Sequence, residues 1–389
     1  MTSIRTPERG FPVSEYCARL GRAQGLMAKA GLSALLLTTE AEVRYFTGYL
    51  TRFWESPTRP WFLILPAAGN PVAVIPSIGA ALMAKTWITD IRTWSAPDLV
   101  DDGVSLLADT LAEQCGTSGA IGMPSGHETH VRMPYRDIAR LKTLLPHNKI
   151  TDDAGIIRAL RMVKSELEIA KIRYACQIAG RAFARVGEIA GAGVPLDLVF
   201  RRFQMLCLEE GADWVPYLAG GAGPDGYADV ISPATTDPLQ PGDILMLDTG
   251  LVWDGYFCDF DRNFAIGPPS DAAKSAQAKL MEAIQAGADA ARPGATAAEV
   301  FHAMDKIVTG GAGGSEAGRL GHGLGMQLTE WPSFIAGDDT VLEEGMVLTL
   351  EPGIEVAPGR IMVHEEDIRV TAGAPEFLSP RAAPDLPVL

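Results

Sequence analysis

Only 5 cysteines occur in 389 residues, and no two form a CxxC pair. Cys17, Cys115, Cys176, Cys207 and Cys258 are odd in number and widely spaced. That argues against a disulfide framework or a zinc ribbon and for reduced thiols. Positive charge is also scarce: 33 Lys and Arg against 48 Asp and Glu leave a net charge of −15. Nucleic acid and anionic membranes select basic surfaces, so neither is an expected partner. No apolar run approaches the roughly 20 residues that span a bilayer. The opening MTSIRTPERGFPVSEYCARL has neither an apolar segment nor a small-residue cleavage site, so a cytoplasmic location is expected. Tandem repeats and low-complexity tracts are absent too. What remains is a globular composition, 47% hydrophobic and 21% charged, in a chain long enough for two domains.

The first part, residues 1–155, alternates short apolar strands with helical stretches and reads as an α/β domain. SALLLTT (33–39) predicts a strand, and PWFLILPAAGNPVAVIPS (60–77) a hairpin turning at Gly69-Asn70. The second part, 156–389, puts helices first and strands later, an α+β pattern with antiparallel sheet. Ser165 opens a long helix with a capping box, since Glu168 stands three residues on. Further helices are expected after Pro195, at about 271–291 and at about 297–309.

Asp248 and Asp259 stand eleven residues apart in LDTGLVWDGYFCDFDRNF, each in a stretch that otherwise reads as buried strand. Asp254-Gly255 between them is a hairpin signal. Folding there puts the two carboxylates across a strand pair, where like charges repel unless a cation sits between them. Satisfaction by backbone amides or by Arg262 is the plainer explanation of that pair alone. Three later features favour a cation. His322 lies in the glycine loop GRLGHGLGMQL, Glu351 ends a strand against Pro352-Gly353, and Glu365-Glu366 interrupt a strand in GRIMVHEEDIRVT. One of the last two acids must face inward, because side chains alternate along a strand.

These segments, GDILMLDTG, CDFDRNF, GHGLGM, LEEGMVLTLEPGI and VHEEDIRVT, occur in the order found in the pita-bread metallohydrolases, which the chain resembles. That superfamily holds methionine aminopeptidase, aminopeptidase P, prolidase and, without metal, creatinase. The two-part layout resembles the prolidase and creatinase branch. The resemblance implies a C-terminal pita-bread domain behind a smaller N-terminal α/β domain, a homodimer, and two divalent ions (Mn, Fe, Co or Zn). It implies Asp248, Asp259, His322, Glu351 and Glu365 as metal ligands, with Glu365 preferred over Glu366. The implied reaction is attack of metal-activated water on a peptide or amide carbonyl, Glu351 passing a proton to the leaving nitrogen. A dipeptide or another small molecule is the implied substrate.

Two histidines that the peptidases place near the metals are missing. Thr329 occupies one position, offering a hydroxyl without a charge switch near neutrality. Around Val230–Ile231 there is no histidine at all. The alternative is therefore a non-peptidase acting on an osmolyte-like zwitterion, as creatinase, ectoine hydrolase and dimethylsulfoniopropionate lyase do. Gly250 stands where the lyase branch carries an extra aspartate, so the site resembles that of the hydrolases. Trp54 and Arg59, in the aromatic stretch 49–62, and Trp214 and Tyr217 are candidate substrate contacts, the aromatic faces for a quaternary cation and the arginine for a carboxylate. A hydrophobic loop at an interface would explain the first pair equally well. Asp261 reads as structural.

Overall fold

The computed structural model describes residues 6–56, 59–314 and 318–389. Positions 57 and 58 of the aromatic stretch, and the first five residues of the chain, lie outside these. Two compact units are formed: Glu8–Arg161, and Met162–Leu389 with Thr6 and Pro7. The division falls within the helix Ile156–Met162. Among the described residues no helix is long and apolar enough to cross a membrane, and all five cysteines are free.

In the first unit, strands β1 (Ala34–Leu37), β2 (Phe62–Pro66), β3 (Val72–Pro76), β4 (Asp90–Trp94), β5 (Ala120–Met123) and β6 (Lys149–Asp152) form one sheet in the order β4-β3-β2-β1-β5-β6. The β2–β3 hairpin turns as expected, with Gly69 in the left-handed region at φ 92°. Alternate residues Ala34, Leu36, Phe62, Ile64, Val72 and Val74 point to one face. There they meet Val104, Leu107, Ala108 and Leu111, one stripe of the helix Val104–Cys115. Period two against period 3.6 is enough to place this core.

The second unit contains β7 (Trp214–Pro224), β8 (Asp243–Trp253), β9 (Tyr256–Phe257), β10 (Phe260–Ala265), β11 (Gly321–Gly323), β12 (Glu330–Ser333), β13 (Val347–Leu350), β14 (Gly353–Ala357), β15 (Arg360–Val363), β16 (Glu366–Arg369) and β17 (Glu376–Phe377). One antiparallel sheet runs β10-β8-β7 with β9 on β8, and a second runs β12-β11-β13-β16-β17. The helix Glu166–Ala184 starts at the expected capping box, in which Ser165 Oγ accepts Glu168 N–H and Glu168 accepts Ser165 N–H at 2.9 Å. Such a cap contributes about 1 kcal/mol. Phe183 of this helix, Phe203 of the helix Leu196–Glu209 and Phe260 of β10 stack with centroids 4.8 and 5.3 Å apart. They cover one face of the first sheet. On the second sheet, Leu348, Leu350, Ile368 and Val370 pack against Ile284 and Met304 of the helices Asp271–Ala290 and Ala297–Val308. With Phe260, Leu348 and Ile368 committed to helices, the alternate residues face the other way. Those are the acids.

Candidate metal centre

The hairpin after β8 turns at Asp254 and Gly255, both left-handed at φ 47° and 78°, as a two-residue turn of matching twist requires. That turn fixes the register. Asp248 lies directly opposite Asp261, and Thr249 opposite Phe260. The sequence-based expectation that Asp248 and Asp259 oppose each other is corrected here. Asp259 stands abreast of Gly250, one step diagonally from Asp248. Because alternate residues share a face, Asp248, Asp259 and Asp261 all point to the same side. A Cβ on Gly250 would lie 2.1 Å from Leu328 Cδ1 and 3.3 Å from Tyr217 Cβ. No side chain fits beside Asp259 without displacing Leu328.

The second sheet supplies a matching row. His322 of β11 pairs with Thr349 of β13, and Thr349 pairs with Asp367 of β16. Glu365 immediately precedes β16, is buried, and accepts the Thr349 hydroxyl. Glu366 turns away to Arg262 at 3.0 Å and to Ser379. Asp259, His322 and Glu365 each bring a ligand atom within 4.8 Å of the others'. His322 Nε2 lies 3.5 Å from Asp259, while its Nδ1 approaches the Gly323 carbonyl at 2.8 Å. The Nδ1 contact fixes the ring and leaves Nε2 toward the acids. Glu351, half-buried just past β13, donates its N–H to Leu320 O at 2.9 Å.

Electrostatically this is an anionic pit. Burial, then the charges of Asp261 and Glu351, push the Asp248 carboxyl well up. Burial and Asp248 do the same to Asp259, and burial, Asp259 and Glu351 to Glu365. Burial raises Glu351 to about 7, opposed by Arg319 and reinforced by Asp261. Burial and the Arg319 charge push His322 down to about 3, which keeps the imidazole neutral and able to ligate. Among the described residues Asp248 Oδ1 and Asp261 Oδ2 are buried with no hydrogen-bond partner. Such atoms are costly unless something else meets them. Carboxylates with raised pKa values and unmet oxygens, beside one neutral imidazole, are a donor set suited to divalent cations.

The remaining predicted residues are placed unevenly. Tyr217 on β7 pairs with Gly250 and shares the Asp248 face, its hydroxyl reaching the Asp248 carboxylate. Trp214 pairs with Val252 further along that strand. Thr329 is half-buried and accepts a hydrogen bond from Arg319 at 3.3 Å. Ile231 is 86% exposed. Trp54 and Arg59 belong to the first unit. There the Arg132 guanidinium lies 5.2 Å from the Trp54 ring and Arg59 lies 4.8 Å from Phe53. The chain thus supplies its own cations to these aromatic faces.

Sequence reasoning missed four residues here: Asp261, Asp367, His364 and Arg319. Asp261 had a signal, since DFD spacing puts both acids on one strand face. Asp367 accepts the Asp259 N–H at 3.0 Å and the Cys176 thiol at 3.2 Å, and burial raises it to about 7.

Comparison with known proteins agrees with this architecture. Residues 170–372 match metallopeptidase family M24, and residues 19–163 match the creatinase/prolidase N-terminal domain. The chain is 32% identical over 365 residues to the probable dipeptidase PepE of Mycobacterium tuberculosis, covering 92% of this chain and 93% of that one. It is 28% identical to the Xaa-Pro dipeptidase of Lactobacillus delbrueckii subsp. lactis, covering 90% and 93%. The crystal structure of dipeptidase PepE from Mycobacterium ulcerans superposes with a TM-score of 0.84 at 30% identity, covering 97% of this chain and 99% of that one. Recombinant prolidase from Thermococcus sibiricus shares the fold, with a TM-score of 0.86 at 24% identity over 98% and 100% of the two chains. With the pita-bread sheets, the N-terminal α/β unit and the acid-histidine cluster in place, the chain belongs to metallopeptidase family M24.

Proposed function

We propose that the protein is a dipeptidase that hydrolyses Xaa-Pro dipeptides at a pair of divalent ions held by Asp248, Asp259, His322, Glu351 and Glu365. The observation that carries this reading is the convergence of Asp259, His322 and Glu365 within 4.8 Å, beside a buried Asp248 whose Oδ1 has no partner. When bound, such ions polarise the substrate carbonyl and make water nucleophilic near neutral pH. Mn, Fe, Co and Zn all suit mixed oxygen and nitrogen donors.

The chain's own groups divide the remaining work. Glu351, half-buried at the strand end, takes a proton from the attacking water and delivers it to the leaving nitrogen. Thr329 Oγ and the Arg319 guanidinium, 3.3 Å apart, present donors where charge develops on the carbonyl oxygen. The Tyr217 hydroxyl bonds the Asp248 carboxylate and so favours its ionised, ligating form against the opposing effect of burial.

Thr329 favours one second reading, hydrolysis or lysis of a small zwitterion, because it cannot switch charge near neutrality. A substrate panel divides the two. The purified protein, loaded with Mn2+, Co2+ or Zn2+, is offered Xaa-Pro dipeptides beside creatine, ectoine and dimethylsulfoniopropionate. Turnover of the dipeptides is expected. Failure on every dipeptide, with turnover of a zwitterion, would reject the dipeptidase.

A further inference from the structure

Asp261 has no part in the mechanism above, yet it is completely buried and opposite Asp248. Its two oxygens have different surroundings. Oδ1 accepts the Glu365 backbone N–H at 2.9 Å and lies 3.3 Å from His364 Nδ1. Oδ2 is buried and has no hydrogen-bond partner among the described residues. Directly opposite, across the β8–β10 ladder, stands Asp248, whose Oδ1 is equally buried and equally unpartnered.

His364 and Arg262 stand beside Asp261. His364 lies between Asp261 and Glu366, with its Nε2 3.4 Å from Glu366 Oε1. Glu366 in turn pairs with Arg262 at 3.0 Å and accepts the Ala382 N–H at 3.0 Å. Arg262 also donates to the Asp261 and Glu365 carbonyls, the latter at 3.1 Å. Among the described residues the hydrogen bond to the Asp261 carboxylate, from the Glu365 N–H, thus meets it at Oδ1, the oxygen that His364 also approaches. This is how a ligating carboxylate is held: one oxygen anchored by outer groups, the other free for the ion. Two buried carboxylates on opposed residues of one ladder also repel each other unless a cation lies between them.

We infer that Asp261 is a sixth protein ligand of the metal centre, binding through Oδ2 on the Asp248 side, with His364 as its positioning residue. The inference rests on the metallohydrolase reading above. A further carboxylate makes the donor set more oxygen-rich, which shifts preference toward harder ions such as Mn2+ and away from Zn2+.

The test is calorimetric titration of the full-length apoprotein with MnCl2, together with the visible spectrum of the Co2+-loaded form, for wild type and Asp261→Asn. Asparagine keeps a carbonyl to accept the Glu365 N–H; loss of the charge alone weakens binding, whereas the Co2+ bands report a change in the ligand set. The expected result is two Mn2+ equivalents for wild type. In D261N, one binding step should weaken by at least about tenfold and the Co2+ bands should shift. His364→Gln should weaken the same step less. Should D261N fail to give a native near-ultraviolet dichroism spectrum, Asp261→Ser is read in the same way. A folded variant with wild-type stoichiometry and an unchanged Co2+ spectrum, whatever its affinity, overturns the sixth ligand and leaves the dipeptidase reading standing. Wild-type protein that binds no Mn2+ or Co2+ overturns both.

Discussion

The Asp259 backbone N–H donates to an Asp367 carboxylate oxygen 3.0 Å away. The reverse contact, Glu365 N–H to Asp261 at 2.9 Å, joins the same two sheets. Each sheet thus offers a buried acid that holds the backbone of the other sheet's cluster residue. Hydrogen bonds to charged acceptors contribute more than neutral ones. Orphaning the buried Asp259 N–H costs about 1–3 kcal/mol. Asp367→Ala should therefore lose about that much stability in urea unfolding of the metal-free protein. A loss below about 0.5 kcal/mol, the scale of a neutral surface change, contradicts the pairing.

Asp259→Asn removes a charge that the proposed ions need and that the empty cluster resists. Loss of the interaction with a carbonyl-polarising ion is worth several kcal/mol, or roughly a thousandfold in kcat. The metal-free variant should melt at or above the wild-type temperature, because burial and Asp248 already disfavour ionised Asp259. Dipeptide turnover by D259N within tenfold of wild type removes Asp259 from the site.

The pH dependence of the metal-free protein should run opposite to that of a protein stabilised by salt-bridged acids. Asp248, Asp259, Glu351, Glu365 and Asp367 all have raised pKa values, Glu351 and Asp367 to about 7. From their ordinary values of 3.8 and 4.5 up to about 7, the folded chain holds protons that the unfolded chain has released. Their contribution is full at the acid end and is lost as pH rises through 7. His322, lowered to about 3, works the other way below its ordinary 6.5, with one proton against several. Thermal melts in chelator should give a higher Tm at pH 5.5 than at pH 7.5. At pH 7.5 a divalent ion at a hundred times its Kd should restore about 2.7 kcal/mol. A Tm that climbs steadily from pH 5.5 to 7.5 without metal contradicts the raised carboxylates.

Lys164 and Glu330 form a fully buried ion pair at 3.2 Å. Glu330 also accepts the Met326 and Gln327 N–H groups at 2.9 and 3.1 Å, which folds the loop that follows His322. Lys164→Met takes the Lys164 cation away from the buried Glu330 carboxylate, a change that costs about 3–5 kcal/mol. The double variant with Glu330→Gln should recover part of that loss. Equal stability of K164M and wild type in chemical denaturation would show that the pair carries no such weight.

Much of the site was legible because the local rules agree. Asp254-Gly255 announced the hairpin, Ser165 and Glu168 announced the helix start, and alternation in HEED turned Glu365 inward and Glu366 out. The two-residue turn also determined that Asp261 opposes Asp248, a matter of counting back from the turn. The unread residues depend on packing between distant segments. Asp367 meets Asp259 across 108 positions of sequence, and His364 is placed by Asp261 on another sheet. Trp54 offers an aromatic face to Arg132, which lies 78 residues away. No periodicity in one segment can announce the cation that another segment will bring.

The central claim, a divalent metal centre built from Asp248, Asp259, His322, Glu351 and Glu365, is tested most directly by metal titration of the chelator-treated protein at pH 7 in buffers of different ionisation enthalpy. Two equivalents of Mn2+ or Co2+ should bind, releasing protons from the raised carboxylates and none from the neutral His322. Absence of stoichiometric binding, or binding without proton release, would contradict the account.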